Sequence, residues 1–514
     1  MNLIPDVPGT APNYWCTWSI QNYIYGQGDE GFDPKELIGF TGAKHARNNL
    51  NEELLIGKEG WAKNFFSKIR NDLFIVLDDG WDVPLNTPPE SNEHFSSFYL
   101  DDGKFPSCKG IPQERLKKLS DVVKNHGWRG IGLWVAAQEA TKYKSKDDPK
   151  SEAYWKERID WSKHAGILYW KVDWGKKMSR IAFRRFLTNQ AREMYPNLTI
   201  EHTAMDVPLN NYNSEGNITP ISIRKRVKLL EFSDVLRLYD VTPPLSIPTT
   251  LDRLAHVLKE AKSSENAKHL INCEDEVYLA AALGCTMGVM RYSLSGLRPG
   301  EDLDLFDIGT RQVKKRMDEV IRAVRWHRIA SPFGVGKTTV YIDKKNLYDS
   351  WNFKEGETWH IESIGKTIKQ KAPARVSRGI KLPIVDIIGE PPYVVACKNP
   401  NGAISIATLA RTSPEKGYFH PKAEISLDID SISDPIGIFG YYKELSLNFN
   451  DLTDIKSIWA QDLVAHEAFE ISNEIQILED KLIIPGNIIE KHGLSASSKN
   501  DCSDPGILIS LKSQ

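Results

Sequence analysis

Short apolar runs alternate with amphipathic stretches over most of the chain, from about residue 12 to residue 330. The apolar runs have the length of buried strands, and the amphipathic stretches carry apolar residues at the three- and four-residue spacing of surface helices. Eight strands, each followed by a helix, predict a (β/α)8 barrel. The predicted strands are Asn13–Trp18, Leu73–Leu77, Ile131–Val135, Leu168–Val172, Leu198–His202, Val235–Tyr239, His269–Cys273 and Met287–Tyr292.

The helical patterns lie between these strands. A doubly wound open sheet is the competing fold, but it needs a glycine-rich phosphate loop after an early strand, and the sequence has none. The predicted helices are Trp61–Arg70, Gln113–Gly127, Ser151–His164, Ser179–Met194, Thr219–Phe232, Thr249–Ala261, Glu276–Leu283 and Arg311–Trp326.

The pattern changes after about residue 332. Short strand-like segments follow one another there, separated by turn residues such as those of Lys398-Asn-Pro-Asn-Gly. Regular short strands with few helical patterns predict an antiparallel β-sandwich. We therefore expect an N-terminal barrel domain over residues 1–331 and a C-terminal sandwich domain over residues 332–514.

Composition excludes several classes of protein. A net charge of −2 gives no electrostatic reason to bind nucleic acid or an anionic membrane, and no apolar run is long enough to span a bilayer. The six cysteines form neither a CxxC pair nor a short cluster with histidines, so no zinc site is expected. No cofactor is expected either. The first residues lack a signal-peptide pattern, which leaves a cytoplasmic protein and an exported protein without its signal both open. Homo-oligomerisation is open as well.

Charged and polar residues recur where the predicted strands end. In a (β/α)8 barrel the carboxyl ends of all strands meet at one rim, which is where active sites lie. One acidic strand end could be a helix cap, but carboxylates at four strand ends of one rim predict a functional site. These residues are Asp78 and Asp79 after strand two, Lys171 and Asp173 on strand four, Glu201 and His202 on strand five, and Arg237 and Asp240 on strand six.

Carboxylates placed in this way suit glycoside hydrolysis. That reaction needs one carboxylic acid to protonate the leaving oxygen and one carboxylate to attack the sugar or to position water. We expect Asp173 to be the nucleophile, with its pKa lowered by Lys171. Asp240 follows two apolar residues, and a drier setting would raise its pKa, as a general acid requires.

The remaining residues of the rim are expected to bind the sugar. Asp78 and Asp79 can hold hydroxyl groups through charge-assisted hydrogen bonds. Trp18 and Trp134 are candidate walls on which a sugar ring stacks. His202 is open between a contact to the ligand and a structural role.

Three segments together resemble a known group of enzymes. Asp78-Asp-Gly-Trp, Tyr169-Trp-Lys-Val-Asp-Trp-Gly and Leu236-Arg-Leu-Tyr-Asp240 are similar to the motifs of glycoside hydrolase clan D, families 27 and 36. These families hold mainly α-galactosidases and α-N-acetylgalactosaminidases. The resemblance implies a barrel followed by a β-sandwich, and a retaining, exo-acting α-glycosidase with two carboxylates, no metal and a glycoside or oligosaccharide substrate.

The resemblance also assigns roles. It implies that Asp173 is the nucleophile, that Asp240 is the acid/base and that Arg237 is a partner near the acid/base. Lys171 resembles a ligand of sugar hydroxyls, and Glu201 resembles the strand-five residue that helps to choose between galactose and N-acetylgalactosamine.

The chain departs from these motifs at two strands. Arg237 and Asp240 lie one residue closer together than in the usual motif, which leaves a neighbouring carboxylate open as the acid/base. Strand five reads Glu201-His-Thr where many α-galactosidases have Cys-Glu-Trp. We expect an α-galactosidase, with an α-N-acetylgalactosaminidase, a β-L-arabinopyranosidase and an isomalto-dextranase as the alternatives. From other classes, a carbohydrate-binding barrel without catalysis remains open, and a metal-assisted hydrolase is disfavoured because the histidines do not cluster.

Overall fold

The computed structural model describes residues 1–25, 40–88, 90–141, 151–203, 220–238, 243–264, 267–293, 316–353, 365–429 and 435–513. Statements about structure below concern these residues. No helix among them is long and apolar enough to cross a membrane.

Eight parallel strands form the barrel, in the order β7-β6-β5-β4-β3-β2-β1-β8. A bridge between Asn272 and Thr286 brings the two ends of this sheet together. The (β/α)8 prediction is therefore confirmed. The strands are β1 Tyr14–Cys16, β2 Phe74–Leu77, β3 Gly130–Val135, β4 Tyr169–Val172, β5 Thr199–Thr203, β6 Val235–Arg237, β7 Leu270–Asn272 and β8 Gly288–Val289.

Helices surround the barrel and cover the outward side chains of its strands. The helix before β8 ends at Gly284, whose left-handed φ of 61° does not allow a right-handed helix to continue. The helices are α1 Trp18–Tyr25, α2 Phe40–Asn48, α3 Glu52–Ile56, α4 Trp61–Asn64, α5 Pro112–Asn125, α6 Ser151–Ala165, α7 Ile181–Met194, α8 Pro220–Leu230, α9 Ser246–Glu260, α10 Val277–Leu283 and α11 Asp318–Ile329, with 3-10 turns at Arg70–Asp72 and Pro243–Leu245.

The helix predicted over Trp61–Arg70 was wrong in extent. α4 ends at Asn64, and Phe66 adopts a φ of 49°, which a continuing right-handed helix does not allow. The Arg70 guanidinium donates a hydrogen bond of 2.6 Å to the Phe65 carbonyl instead. A side chain thus satisfies a backbone group that the longer helix would have paired.

The C-terminal part consists mainly of antiparallel sheets. An eight-stranded sheet has the order β22-β21-β25-β19-β15-β14-β12-β9, and a five-stranded sheet has the order β13-β18-β20-β24-β23. Three strand pairs are parallel: β12 with β14, β15 with β19, and β18 with β20. The strands are β9 Val340–Ile342, β10 Asn346–Asn352, β11 Thr367–Pro373, β12 Arg375–Arg378, β13 Ile384–Asp386, β14 Tyr393–Lys398, β15 Ile404–Leu409, β16 Arg411–Ser413, β17 Gly417–Phe419, β18 Glu424–Asp428, β19 Ile436–Phe439, β20 Glu444–Asn448, β21 Ser457–Asp462, β22 Phe469–Glu470, β23 Gln476–Ile477, β24 Lys481–Pro485 and β25 Gly506–Lys512, with helix α12 at Gly486–Gly493.

The eight-stranded sheet is covered on both faces. On one face it shares an apolar core with the five-stranded sheet, as a sandwich does; this core includes Ile438 of the first sheet and Leu445 of the second. Its other face packs on α10 and α11, where the Trp326 ring lies against Gly437; a Cβ there would be 2.8 Å from the indole. The sandwich is thus attached to the barrel by a shared core.

Candidate functional site

The carboxyl ends of the barrel strands gather six of the predicted site residues. Side chains alternate between the lumen and the helix layer along each strand, and parallel register brings lumen residues of neighbouring strands to the same height. Lys171 is paired with Glu201, and Thr203 is paired with Arg237. The six residues are Asp78, Trp134, Lys171, Asp173, Glu201 and Arg237.

Asp173 lies just past the end of β4 and is bound from two sides. Its Oδ2 accepts a hydrogen bond of 2.8 Å from Nη2 of Arg237 and one of 3.2 Å from the indole of Trp134. Arg184 holds the main chain by donating to the Asp173 carbonyl at 2.8 Å. Both of the side-chain hydrogen bonds found in the described structure end on Oδ2, so Oδ1 accepts no hydrogen bond from the described residues.

The surrounding charges keep Asp173 ionised. Burial alone would raise the pKa of Asp173. The guanidinium of Arg237 and, after it, the ammonium of Lys171 outweigh burial and hold the pKa of Asp173 below its ordinary value. An ionised carboxylate is what a nucleophile requires.

Lys171 is paired with Asp78 and not directly with Asp173. Its Nζ lies 2.6 Å from Asp78 Oδ2, and the thiol of Cys16 donates to the same oxygen at 3.0 Å. The expected effect of Lys171 on the pKa of Asp173 is present, but it is smaller than that of Arg237. Lys171 and Asp78 form a buried ion pair on the floor of the lumen, beside the nucleophile candidate.

Arg237 contacts three carboxylates at once. Besides Asp173, its Nη1 lies 2.6 Å from Oε1 of Glu274, and its Nε lies 3.4 Å from Oε1 of Glu201. The nearby anions outweigh burial and raise the pKa of Arg237, so the guanidinium stays charged. Sequence analysis expects Arg237 beside the acid/base candidate Asp240, which lies outside the described residues; among the described residues Arg237 binds Asp173.

Glu274 was missed by sequence analysis. It follows β7, in Asn272-Cys-Glu-Asp, and thus carried the same signal, an acidic residue after a strand, that singled out the other rim residues. Its backbone has a φ of 52°, and the Asn272 side chain accepts a hydrogen bond of 2.8 Å from its amide. This turn directs the carboxylate toward Arg237.

Glu201 lies deep in the barrel. The side chain is completely buried, and it accepts hydrogen bonds from the hydroxyls of Tyr14 at 3.0 Å and Tyr169 at 2.7 Å and from the amide of Asn272 at 2.7 Å. Burial raises the pKa of Glu201. These contacts make it part of the polar core of the barrel, where it supports Arg237.

The structure does not bring His202 to the lumen. Neighbouring side chains of β5 point to opposite faces, so the His202 ring faces away from the side that carries Glu201 and packs in the helix layer. Its Nε2 lies 2.7 Å from the Thr188 hydroxyl, and its Nδ1 lies 3.3 Å from Arg184 Nη1. Burial and the Arg184 charge lower the pKa of His202 well below its ordinary value, so the ring is neutral. Of the two roles left open for His202, a ligand contact and a structural role, this placement fits the structural one.

Asp79 and the two tryptophans that were predicted to stack on the sugar ring each contact other parts of the protein. Asp79 accepts two hydrogen bonds from Arg47, at 2.9 and 3.1 Å. The indole of Trp134 is buried and donates to Asp173, so it orients that carboxylate. Trp18 begins α1 and is half-buried against the lumen cluster around Tyr14. Asp240 lies outside the described residues.

Trp174 is an exposed aromatic beside the nucleophile candidate. It is 37 % exposed, and its ring makes edge contacts with Phe95 at 5.0 Å and Trp134 at 5.5 Å between ring centroids. The next residue, Gly175, has a φ of 143°, and a Cβ there would lie 2.7 Å from the Ala137 nitrogen. Only glycine fits this close approach, which fixes the position of Trp174 at the rim.

No group of three or more His, Cys, Asp and Glu side chains arranged to hold a metal ion occurs in the parts of the chain given above. The site instead joins two cations, Lys171 and Arg237, to four carboxyl groups in a mostly buried lumen. Such an arrangement can hold a neutral polar ligand by its hydroxyl groups and present an ionised carboxylate to it.

No protein-family model and no curated protein matches the sequence. Among solved structures, the chain is similar to a GH27 β-L-arabinopyranosidase from Geobacillus stearothermophilus, with 11% identity, a TM-score of 0.42, and coverage of 98% of this chain and 96% of that one. It is also similar to α-galactosidase I from Mortierella vinacea, with 12% identity, a TM-score of 0.37 and coverage of 98% and 97%. The α-galactosidase of Saccharomyces cerevisiae has 12% identity, a TM-score of 0.35 and the same coverage.

Proposed function

We propose that the chain is a retaining, exo-acting α-glycosidase that hydrolyses terminal α-galactosyl residues. The observation that carries the proposal is the setting of Asp173. Its carboxylate is kept ionised at the mouth of the barrel, and the Arg237 and Trp134 hydrogen bonds on Oδ2 leave Oδ1 to face a ligand. A retaining glycosidase needs a nucleophile held in this way.

In the proposed mechanism Oδ1 of Asp173 attacks the anomeric carbon of the terminal sugar. The bond to the leaving oxygen breaks while an acid donates a proton to that oxygen, and a covalent glycosyl-enzyme forms. Water then attacks the same carbon, and the conjugate base of that acid takes a proton from the water. The bond between the sugar and Asp173 breaks, which frees the carboxylate. Two inversions at one carbon give net retention.

Asp240 is our candidate for the acid/base. The sequence supports this choice, because Asp240 follows β6, the strand that carries Arg237, and comes directly after the apolar residues Leu238 and Tyr239. Asp78, Asp79 and Glu274 are less suited, because each is ion-paired with a buried cation. An adjacent cation favours the ionised form, whereas a general acid must be protonated at neutral pH.

The sugar assignment rests on the motif resemblance, and we place the whole sugar site in the barrel, residues 1–331. The buried pair of Asp78 and Lys171 offers one acceptor and one donor group to vicinal hydroxyls. β-L-Arabinopyranosides have the ring of an α-galactoside without its hydroxymethyl group, so a single panel can separate these substrates.

The test is a panel of aryl α- and β-glycosides, followed by NMR so that the anomer of the first product is seen. The panel includes galactosides, N-acetylgalactosaminides, arabinopyranosides and isomaltosides. Turnover of the α-galactoside with retention supports the proposal, and Asp173→Ala should abolish it, with azide restoring part of the rate. Asp160→Ala, which changes an exposed aspartate on α6, is the matched control. Sugar binding without turnover of any substrate would favour a binding protein and contradict the proposal.

A further inference from the structure

The Arg237 guanidinium is divided between carboxylates. Arginine and a carboxylate often pair in a bidentate way, with two parallel N–H···O bonds that occupy both oxygens. Here Nη2 contacts Oδ2 of Asp173, while Nη1 is 2.6 Å from Oε1 of Glu274. Glu274 therefore occupies the nitrogen that could otherwise close a second bond onto Asp173.

We infer that Glu274 is a positioning residue that keeps Arg237 monodentate on Asp173 and so leaves Oδ1 open for attack. The inference rests on the proposed function, because it concerns the reactivity of that nucleophile. Without an acceptor at position 274, the guanidinium can turn its fork onto Asp173 and hold both carboxylate oxygens. The nucleophile would then be more strongly paired and less reactive.

Three features show that Glu274 is held in place for this contact. Its side chain is buried, so its carboxylate does not exchange freely between Arg237 and water. Its positive φ of 52° is an uncommon conformation for a residue with a side chain, and the Asn272 side chain fixes its amide. Asn272 also donates to Glu201, so the same residue orients two of the carboxylates around Arg237.

Other charged and titratable groups face the same lumen and set the background for a pH measurement. Lys171 lies on β4 beside Asp173, and Arg184 of α7 binds the Asp173 carbonyl from the helix layer. Glu201 on β5 and the hydroxyls of Tyr14 and Tyr169 face the other side of the guanidinium. All of these remain in a variant that changes Glu274 alone.

The experiment compares Glu274→Gln with Glu274→Met. Glutamine keeps an oxygen that accepts from Nη1, whereas methionine has a similar shape and no such acceptor. We expect kcat of Glu274→Met on the best substrate of the panel to fall about 10- to 100-fold, the cost of losing a charge-assisted hydrogen bond in the site. KM should change less than about threefold, because ground-state contacts to the sugar are retained. Glu274→Gln should keep most of the activity.

The pH profile separates positioning from a general structural role. Both variants lose the negative charge of Glu274, which favours ionised Asp173 in each, and only in Glu274→Met can a bidentate Arg237 lower the pKa of Asp173 further. The acidic limb of kcat/KM should therefore move to clearly lower pH in Glu274→Met than in Glu274→Gln. A variant that is merely less stable would lose activity without this movement, and thermal unfolding of both variants monitors that case. Equal behaviour of the two variants, or an unmoved limb in Glu274→Met, would overturn the inference.

A crystal structure of Glu274→Met decides the point without any activity. We expect Arg237 within hydrogen-bond distance of both Asp173 oxygens, and a guanidinium that still touches only Oδ2 contradicts the inference. If the wild-type protein turns over no glycoside, the proposed function fails while this structural comparison still tests Glu274. If the wild type is active and both variants match it, the inference fails alone.

Discussion

Arg237 and Asp173 meet in the lumen although 64 residues separate them in the sequence, with Nη2 at 2.8 Å from Oδ2. Lys171, which is close to Asp173 in the chain, turns to Asp78 instead. The ionisation of the nucleophile candidate thus depends first on a residue of β6 and only then on its neighbour on β4.

This relationship predicts how activity depends on pH. Asp173 must be ionised to attack, and its pKa lies below the ordinary value of an aspartate, so the acidic limb of kcat/KM in the wild type should lie below the pH range in which aspartates usually titrate. Arg237→Met removes the largest favourable charge, so burial is less opposed and the pKa rises. We expect the limb to move to higher pH. Arg237→Lys, which keeps the charge, should move it less; equal shifts in the two variants would contradict an electrostatic role.

The buried pair of Lys171 and Asp78 predicts a second result. Lys171→Met leaves the Asp78 carboxylate buried without its counter-ion, which should cost about 3–5 kcal/mol of unfolding free energy. Denaturant unfolding measures this cost. Adding Asp78→Asn should recover most of the stability, because no lone buried charge remains. Sugar binding should not recover, since both polar contacts are changed; recovery of binding would show that the pair only supports the fold.

The exposed ring of Trp174 predicts an effect on affinity. In an Asp173→Ala background, which prevents turnover, Trp174→Ala should weaken binding of the substrate by about 1 kcal/mol, or about fivefold, the scale of one ring contact. Calorimetric titration measures the change. Met178→Ala, at an exposed apolar residue in the same segment, is the control and should leave the affinity unchanged. Equal losses in both variants would point to a general effect on the loop.

The attachment of the sandwich to the barrel predicts a large effect on stability far from the site. Asp462 accepts hydrogen bonds from Arg322 Nε at 2.9 Å and Nη2 at 3.0 Å, and both side chains are fully buried. Asp462→Asn should lower the unfolding free energy by about 3–5 kcal/mol. The matched control is Asp121→Asn, whose pair with Lys117 is exposed on α5; its effect should be below about 1 kcal/mol. Similar costs at the two sites would contradict the burial argument.

Much of the fold could be predicted from the sequence because the signals are local. Each strand of the barrel is a short apolar run of its own, and each surface helix has its own periodicity. The residues of the rim could be predicted from the same information. In a (β/α)8 barrel every strand ends at one face, so a charged residue that follows a strand lies at that face whichever residue it pairs with. Asp173, Lys171 and Asp78 were found in this way.

The pairing of the charges was decided by tertiary structure. Whether Arg237 binds Asp173, and whether Glu274 takes the other half of its fork, depends on strand register and on a turn after β7 that the sequence pattern does not specify. His202 lies in the helix layer because its neighbour Glu201 faces the lumen, a choice between two faces that one polar pair leaves ambiguous. The sequence by itself determined which elements form and which residues reach the rim, since these follow from neighbours along the chain. Which charged side chains pair with each other was decided only by the tertiary structure, because the partners lie on strands that are distant in the sequence.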